Sequence, residues 1–366
     1  MESSMQTQPC YLYGIVSDQA IESFGPIGPG GSEIRTIRGG GIGIVAGQCE
    51  RISFSQVSPA TTLQYLAAHQ RVLEKVMLDG PVIPLKFGTY ADDERQIQEI
   101  LSCGRREFTA TLSLYADKIE VDLAAFWTDI QCVLSELAGD PAVAAMKAQI
   151  AASAPATMDQ RVRMGQLVKQ LLDRRRTEVA ATLASALEPV AQTLVVNQVT
   201  DDSMVFNASI LVGRDEQARL EQAIQELDRR YANQLSFRCV GPLPPYSFAT
   251  AEIRTLEASR LDAARRLLEL GESASLAEIK AAHRRLLQQS HPDRNSASTG
   301  GNGVQEIADA YSLLEEYAMN VRHAFSTTTA QVIVKIRSLE DLRVRARVDA
   351  RRQPAPEHMP RSIEAA

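Results

Sequence analysis

Short apolar runs alternate with longer amphipathic stretches in the N-terminal third of the chain, and this pattern predicts strands and helices. An apolar and aromatic run at Cys10–Val16 indicates a strand. Ile34–Arg38 and Ile42–Gly47 flank three glycines, which is typical of a β-hairpin. Apolar residues then recur at helical spacing over Thr61–Leu78. The order of elements is that of a mixed α and β protein.

The next segment joins two predicted helices through one short strand. Residues 79–81 (Asp-Gly-Pro) end the first helix, because glycine accepts the left-handed C-cap conformation and proline cannot continue a helix. Val82–Phe87 is an apolar run typical of a buried strand, and Pro84 lacks an N–H, so we expect an edge strand or a bulge. Asp93–Asp117 predicts the second helix, and Lys118–Trp127 alternates as a further strand.

This order predicts a ferredoxin-like α+β domain over residues 1–128, with antiparallel strands and helices on one face. Residues 129–190 predict a helical bridge, in which the arginines 174–176 form a solvated face. A strand–strand–helix–strand order over 191–255 predicts a second, smaller α+β unit. We expect its proline-rich end to lie extended over the surface, with Tyr246 and Phe248 either anchored on the core or facing a partner.

Helical spacing dominates again in residues 256–320. Ser275 and Glu278 form a capping box ahead of a helix whose one face is apolar. The other face of this helix carries three cations: Lys280, Arg284 and Arg285. His291-Pro292-Asp293 follows, before a last helix at Val304–Tyr317, so these three residues lie at the tip of a helical hairpin. Residues 321–366 predict one strand at Gln331–Arg337 and a frayed basic tail.

The composition limits the possible functions. The chain has 366 residues, of which 45% are hydrophobic and 23% charged, as in ordinary globular proteins. The net charge of −6 argues against nucleic-acid binding. The five cysteines are widely spaced and predict neither a disulfide framework nor a zinc site. Residues 1–9 are polar and lack the cationic start and apolar core of a signal peptide, and no apolar run reaches about 20 residues. We therefore expect a cytoplasmic protein that does not enter a membrane.

Two features invite an enzymatic interpretation, and the pattern around them argues against it. Residues 41–46 (Gly-Ile-Gly-Ile-Val-Ala) loosely fit the dinucleotide-binding fingerprint, but a strand continues where that fingerprint requires a helix. His69 lies on its helix without a second His or Cys nearby in sequence, so a hydrogen-bonded structural histidine is the ordinary reading. We therefore expect no enzyme activity, no metal and no cofactor.

Four blocks of sequence, taken in order, resemble the gas vesicle accessory proteins of the GvpL/GvpF family. These blocks are Tyr11–Val16, His69–Glu74, Val82–Thr89 and Gly241–Phe248. The signature residues within them are Tyr13, Gly14, His69, Glu74, Pro84, Lys86, Phe87, Gly88, Pro245 and Tyr246. The resemblance implies an α+β fold and binding to the major gas vesicle shell protein and other gas vesicle proteins.

The C-terminal helices are similar to the J domain of DnaJ-type co-chaperones. The similarity lies in residues 278–280 (Glu-Ile-Lys), the basic helix, the His-Pro-Asp tip and Ala310-Tyr311. It implies that a DnaK-type chaperone is bound by His291, Pro292, Asp293, Lys280, Arg284, Arg285 and Arg294. His283 stands where J domains usually carry Tyr, so a hairpin that no longer recruits a chaperone stays the alternative.

The sequence thus predicts an α+β protein with two ferredoxin-like α/β sandwich units joined by a helical bridge and followed by an all-helical J domain hairpin. The predicted function is that of a non-enzymatic gas vesicle assembly factor, which binds the shell protein during nucleation or growth and recruits a DnaK-type chaperone. The alternative is a minor structural component of the mature gas vesicle whose J-like module is only a scaffold.

Overall fold

The computed structural model describes residues 8–152, 157–289, 302–320 and 331–336. The strands are β1 (Cys10–Ser17), β2 (Ser23–Gly25), β3 (Ile34–Gly39), β4 (Ile42–Gln48), β5 (Val82–Pro84), β6 (Tyr90–Ala91), β7 (Lys118–Trp127), β8 (Thr193–Val196), β9 (Met204–Gly213), β10 (Leu235–Leu243), β11 (Ala251–Leu256) and β12 (Gln331–Ile336). The helices are α1 (Pro59–Met77), α2 (Glu94–Leu114), α3 (Ile130–Leu137), α4 (Pro141–Ala152), α5 (Met158–Leu187), α6 (Gln217–Arg230), α7 (Tyr246–Ala249), α8 (Ala258–Leu267), α9 (Leu276–Gln289) and α10 (Asn302–Asn320). They group into two compact units: residues up to Ser113 together with Thr250–Ile336 form the first, and Leu114–Ala249 form the second.

The first unit is built on a six-stranded antiparallel sheet in the order β2-β3-β4-β1-β5, with β6 also paired to β1. Strands β1 and β4 are buried along almost their whole length, as their continuous apolar runs predict. Helices α1 and α2 add buried apolar faces to this core, including Leu73, Ile97 and Phe108. The glycine-rich link between β3 and β4 is a hairpin turn, so no helix begins where a dinucleotide-binding motif would need one.

Strand β5 lies at the edge of this sheet, as Pro84 predicts. Within the described part of the chain β5 pairs with β1, and Pro84 stands opposite Gly14. Beyond Pro84 the backbone takes a new partner: Leu85 forms a parallel bridge with Ala251, and the Lys86 N–H donates to the Ala251 carbonyl at 2.9 Å. The segment that follows β5 is therefore joined directly to β11.

The second unit contains a four-stranded antiparallel sheet in the order β10-β7-β9-β8. From the sequence we counted Lys118–Trp127 in the N-terminal domain, but this strand pairs along its length with β9 and β10 and so belongs to the second sheet. Alternating residues define a strand locally, and they carry no information on which distant strand completes its hydrogen bonds. The predicted α+β class is confirmed by both sheets and their helices.

The helices that we predicted as a bridge, α3 to α5, lie within the second unit. The arginine triplet of α5 is not one solvated face. Arg174 and Arg175 pair with the acidic residues Asp140 and Glu136, at 3.7 and 3.8 Å. Arg176 is largely buried, with only 12% of its side chain exposed. The triplet therefore ties α5 to its neighbours, because three successive helical residues point in three directions.

A helical module of α8, α9 and α10 follows in the first unit, closed by a two-stranded sheet. β11 and β12 pair antiparallel from Ala251–Ile336 to Leu256–Gln331, which confirms the strand predicted near Gln331. The three helices share one buried core, to which the strands contribute Leu256 and Ile333. The module is thus built from strands as well as helices.

Helix α9 begins with the predicted capping box. The Ser275 N–H donates to the Glu278 carboxylate at 2.7 Å, and the Glu278 N–H donates to the Ser275 hydroxyl at 3.3 Å.

In the described part of the chain, no helix combines the length and apolar character required to cross a bilayer.

Candidate functional site

The N-terminal signature residues meet in an aromatic cluster around His69. The Gly88 N–H donates to the Tyr11 hydroxyl at 3.0 Å, and that hydroxyl lies 3.0 Å from His69 Nδ1. The His69 ring is stacked on Tyr13, with centroids 5.5 Å apart, and meets Phe87 edge-on at 5.7 Å. A β-bulge between Leu12 and Gly14 leaves Tyr13 without a register partner in β4, which lets its ring turn into this cluster.

His69 is held neutral inside this cluster. It is 3% exposed, and burial lowers its pKa to about 4, although a hydrogen bond to the Leu85 backbone acts in the opposite direction. The Tyr11 hydroxyl can therefore donate to Nδ1 while it accepts from Gly88. A neutral, fully bonded imidazole supports the structural role expected from the sequence, because it locks α1 to β1 and to the segment after β5.

Two signature glycines are explained by their surroundings. A Cβ atom on Gly14 would lie 2.7 Å from side-chain carbons of Leu73 and Val82, so the helix α1 and strand β5 pack directly on its backbone. Gly88 has φ of +83°, a left-handed conformation that glycine adopts without strain. This turn is what presents the Gly88 N–H to Tyr11.

The remaining signature residues of the first unit lie at its surface. Glu74 accepts a hydrogen bond from Gln70 at 2.8 Å on the same helix. Lys86 pairs with Glu252 of β11 at 3.0 Å.

The ion pairs at β11 continue beyond Lys86. Arg254 contacts Glu252 at 2.9 Å and Glu316 of α10 at 3.3 Å. The chain of charges therefore runs from the signature segment to the last helix of the C-terminal module.

The late signature residues Pro245 and Tyr246 belong to the second unit, whereas the His69 cluster belongs to the first. Pro245 is buried and Tyr246 half-buried, at the start of the short helix α7. Phe248 is fully buried, and its carbonyl accepts a hydrogen bond from the Tyr115 hydroxyl at 3.1 Å. Phe248 is therefore an anchor on the core. Residues 241–243 run along β10 at the edge of the sheet, as the prolines predict, but Tyr246–Ala249 form a short helix and not the extended surface segment expected from the sequence.

A buried acidic residue that sequence reasoning missed lies beneath this segment. Glu120 is 1% exposed; it accepts a hydrogen bond from the Ser247 N–H at 2.8 Å and lies 2.6 Å from the Ser247 hydroxyl. From the sequence we read Glu120 and Asp122 as the polar positions of an alternating strand. No local signal marks the burial, because the cover comes from a segment more than a hundred residues later.

The predicted chaperone-binding cations of α9 lie at the surface of the helical module. Lys280 pairs with Glu315 of α10 at 3.4 Å, and Arg285 pairs with Glu269 at 2.8 Å. Arg284 is exposed and forms no ion pair with the described residues. The predicted tip residues His291, Pro292, Asp293 and Arg294 lie outside the described residues.

Helices α9 and α10 are held together at the position where His283 replaces the usual tyrosine. The His283 ring stacks on Tyr311 with centroids 4.1 Å apart. The Tyr311 hydroxyl donates to Glu315 at 2.5 Å, and Glu315 also faces Lys280. Because residue numbers rise on one helix as their partners fall on the other, the helices run antiparallel, as a J-type hairpin requires.

Among the described residues, no group of three or more His, Cys, Asp or Glu side chains is arranged to hold a metal ion. The five cysteines are free thiols, and burial raises the pKa of Cys10 and Cys49.

The fold and these clusters define a protein of two α+β units that carries a J-like helical module. Residues 9–250 match the family described as "Gas vesicle synthesis protein GvpL/GvpF", and the chain belongs to that family. Residues 266–319 match the DnaJ domain. Membership supports a role related to gas vesicles.

Known relatives agree with this assignment. The chain is 24% identical to gas vesicle protein F of Dolichospermum flosaquae, over 50% of this chain and 76% of that protein. It is 28% identical to gas vesicle protein F of a Streptomyces species, over 50% of this chain and 76% of the relative. The crystal structure of GvpF from Anabaena sp. PCC7120 is similar in fold, with a TM-score of 0.57 and 20% identity over 66% of this chain and 98% of that one.

Proposed function

We propose that this chain is a non-enzymatic assembly factor that binds the hydrophobic shell protein while gas vesicles nucleate or grow, and that its J-like module recruits a DnaK-type chaperone. Family membership supports the gas vesicle part, and the match of residues 266–319 to the DnaJ domain supports the chaperone part. We expect the protein to act in the cytoplasm, at forming vesicles and together with other gas vesicle proteins.

The attachment of the J-like module to the signature segment carries this proposal. Backbone contacts from Leu85 and Lys86 to Ala251 and the ion pairs through Arg254 make the module part of the first unit. A client bound to this unit and a chaperone bound to α9 are then held on one compact body. An unassembled shell protein exposes apolar surface and strand edges, so a short transfer distance limits its aggregation.

Arg284 is the α9 cation that we expect to meet an acidic surface of the chaperone first. Lys280 and Arg285 are already partly neutralised by carboxylates of the module, whereas Arg284 is exposed and forms no ion pair within the described residues. A charge of this kind speeds encounter more than it adds affinity. The resemblance adds Asp293 as the residue needed to stimulate ATP hydrolysis.

Steady-state ATP hydrolysis by a DnaK-type chaperone tests the recruitment. We expect stimulation by the natural chain, its loss in Asp293→Asn, and a reduction of at least about fivefold in Arg284→Glu at low ionic strength. Arg161→Glu, which reverses an exposed charge on α5 of the second unit, is the matched control and should stimulate normally. If the natural chain gives no stimulation, the recruitment part of the proposal is wrong.

The shell-protein part has a separate test. Purified full-length chain should retain the shell protein in a pull-down, and Asp293→Asn should retain it equally well, because the tip lies in the chaperone-binding module. Washed mature vesicles probed for this chain distinguish an assembly factor, which is absent, from the alternative of a minor structural component, which remains.

A further inference from the structure

Glu120 is the first member of a chain of four polar side chains in the second unit. The Ser247 hydroxyl lies 2.6 Å from Glu120 Oε1 and 3.0 Å from the Ser209 hydroxyl. The Ser209 hydroxyl donates to Asp122 Oδ1 at 2.7 Å and accepts from the Asn197 side-chain amide at 3.1 Å. The chain thus links one buried carboxyl group to a second, half-buried one through two hydroxyl groups.

The number of available protons decides which form of Glu120 fits this geometry. Each serine hydroxyl has one proton to donate, and Ser209 uses its proton on Asp122. If Glu120 is ionised, Ser247 must donate to it, and the 3.0 Å contact between the two serines has no proton. If Glu120 is protonated, it donates to Ser247, Ser247 donates to Ser209, and Ser209 donates to Asp122. Every contact is satisfied when the two carboxyl groups hold one proton between them, and burial places that proton on Glu120, which is 1% exposed, and not on the half-buried Asp122.

We propose that Glu120 is a pH-sensitive latch on Pro244–Ala249: its protonated form holds this segment to the sheet through Ser247, and its ionised form releases it. Ionisation removes the donor that orders the serine chain and leaves a buried anion beside Asp122. A buried charge without a counter-ion is costly, and the covering segment is what keeps water from it. Opening the segment therefore relieves the charge.

The surroundings of Glu120 favour the neutral form near neutral pH. Burial is the main cause that raises the pKa of Glu120 to about 7, and Asp122 on the same strand raises it further, while the hydrogen bonds from the two serines lower it. The nearest cation along β7, Lys118, is engaged by the Leu114 carbonyl and Asp117.

Within the described part of the chain, the two strands paired with β7 place Leu211 and Leu243, and no cation, opposite Glu120. The β9 residues carry no ionisable side chain, and Arg238 of β10 is the register partner of Ala124, further along the strand. On the covering side, the Tyr115 phenol, whose pKa burial raises to about 12, is neutral at this pH and donates to the Phe248 carbonyl.

The latch acts on the segment by which the chain leaves the second unit. Ala249 is the last described residue of that unit, and the first unit resumes at Thr250. The segment also carries Phe248, whose fully buried ring and carbonyl anchor depend on the closed position. Release at higher pH therefore exposes an aromatic side chain at the end of the second unit.

Hydrogen exchange of the amides of residues 246–249 tests the latch in the full-length chain. With a carboxyl pKa near 7 in the closed form and 4.5 in the open form, protection corrected for intrinsic exchange should fall about 30-fold between pH 5.5 and pH 8. Glu120→Gln keeps an acceptor for the Ser247 N–H and supplies an N–H donor for its hydroxyl, so it imitates the protonated form. In this variant protection should change less than about twofold.

Glu221→Gln, an exposed carboxyl group on α6 of the same unit, is the matched control and should follow the natural chain. The latch is refuted if protection of residues 246–249 in the natural chain does not fall with pH. It is equally refuted if Glu120→Gln loses as much protection as the natural chain over the same range.

Discussion

Replacement of Tyr11 by phenylalanine removes a single oxygen on which two groups of the signature cluster depend. The Gly88 N–H loses its acceptor and His69 Nδ1 loses its donor, each at 3.0 Å. Tyr11 is 4% exposed, so water cannot readily replace its hydroxyl. A buried polar group without a partner costs about 1–3 kcal/mol, and a lost net hydrogen bond about 1 kcal/mol. We therefore expect Tyr11→Phe to destabilise the first unit by about 2–3 kcal/mol.

The measurement must separate the two units. The single tryptophan of the chain, Trp127, lies in the second unit, so its fluorescence reports the unfolding of that unit alone. Hydrogen exchange of the β1, β4 and β5 amides reports the first unit. The expected loss corresponds to about a 30- to 150-fold decrease in protection of these amides, with the tryptophan transition unchanged.

Tyr13→Phe provides the matched control. Tyr13 is 1% exposed and belongs to the same cluster, but its hydroxyl has no hydrogen-bond partner among the described residues. Its loss should cost less than about 1 kcal/mol. Equal effects of the two substitutions would show that ring packing, and not the hydrogen bonds of Tyr11, holds the signature segment, and would refute the predicted role of the Tyr11 hydroxyl.

Two further outcomes follow from buried residues of the first unit. Ile333→Ala should destabilise the helical module by about 2–4 kcal/mol, because Ile333 is 1% exposed. Faster hydrogen exchange of the amides in α8 to α10 measures this loss. Val334 is half-buried, so Val334→Ala should cost less than about 1 kcal/mol. The first unit should also lose about 3 kcal/mol of stability as the pH falls from 6.5 to 4, because the pKa of His69 is lowered to about 4 in the folded state and unfolded chains take up the proton first. Hydrogen exchange of the β1, β4 and β5 amides measures this loss for the first unit, and His69→Gln should abolish it.

Local features of the sequence predicted local structure well. Pro84 lacks a donor, and β5 lies at a sheet edge; Ser275 and Glu278 form the capping box that their spacing indicates. Phe248 is a core anchor, one of the two roles that the proline-rich segment allowed. Each of these outcomes depends on a residue and its near neighbours, which a single sequence contains.

What the sequence did not reveal depends on contacts between distant segments. The strand at Lys118–Trp127 was recognised but placed in the wrong sheet, because β9 and β10 lie far along the chain. Glu120 looked like an ordinary polar position until Ser247 covered it. The signature residues include Tyr13 but not Tyr11, because both are aromatic residues of one apolar strand. Only the fold shows that the Tyr11 hydroxyl forms the hydrogen bonds of the cluster.

The J resemblance predicted the cations of α9 but not their partners. Lys280 and Arg285 lie on the polar face of α9, as the sequence indicates, and each also contacts a carboxylate of the module. Glu315 and Glu269 come from other elements, so helical spacing on α9 alone could not identify them. The proposed contact with a chaperone therefore requires either Arg284 or an exchange of partners by the other two.

The pairing of β11 with β12 has a consequence for how such a chain can grow. Leu256 and Gln331 face each other across the two strands, so everything between them leaves and returns at nearly one point. An extension anchored in this way can change in length or in sequence at its far end, while the β11–β12 pair keeps its contacts with the segment around Lys86. A family scaffold could thus acquire a new appendage without any of its older strands having to move.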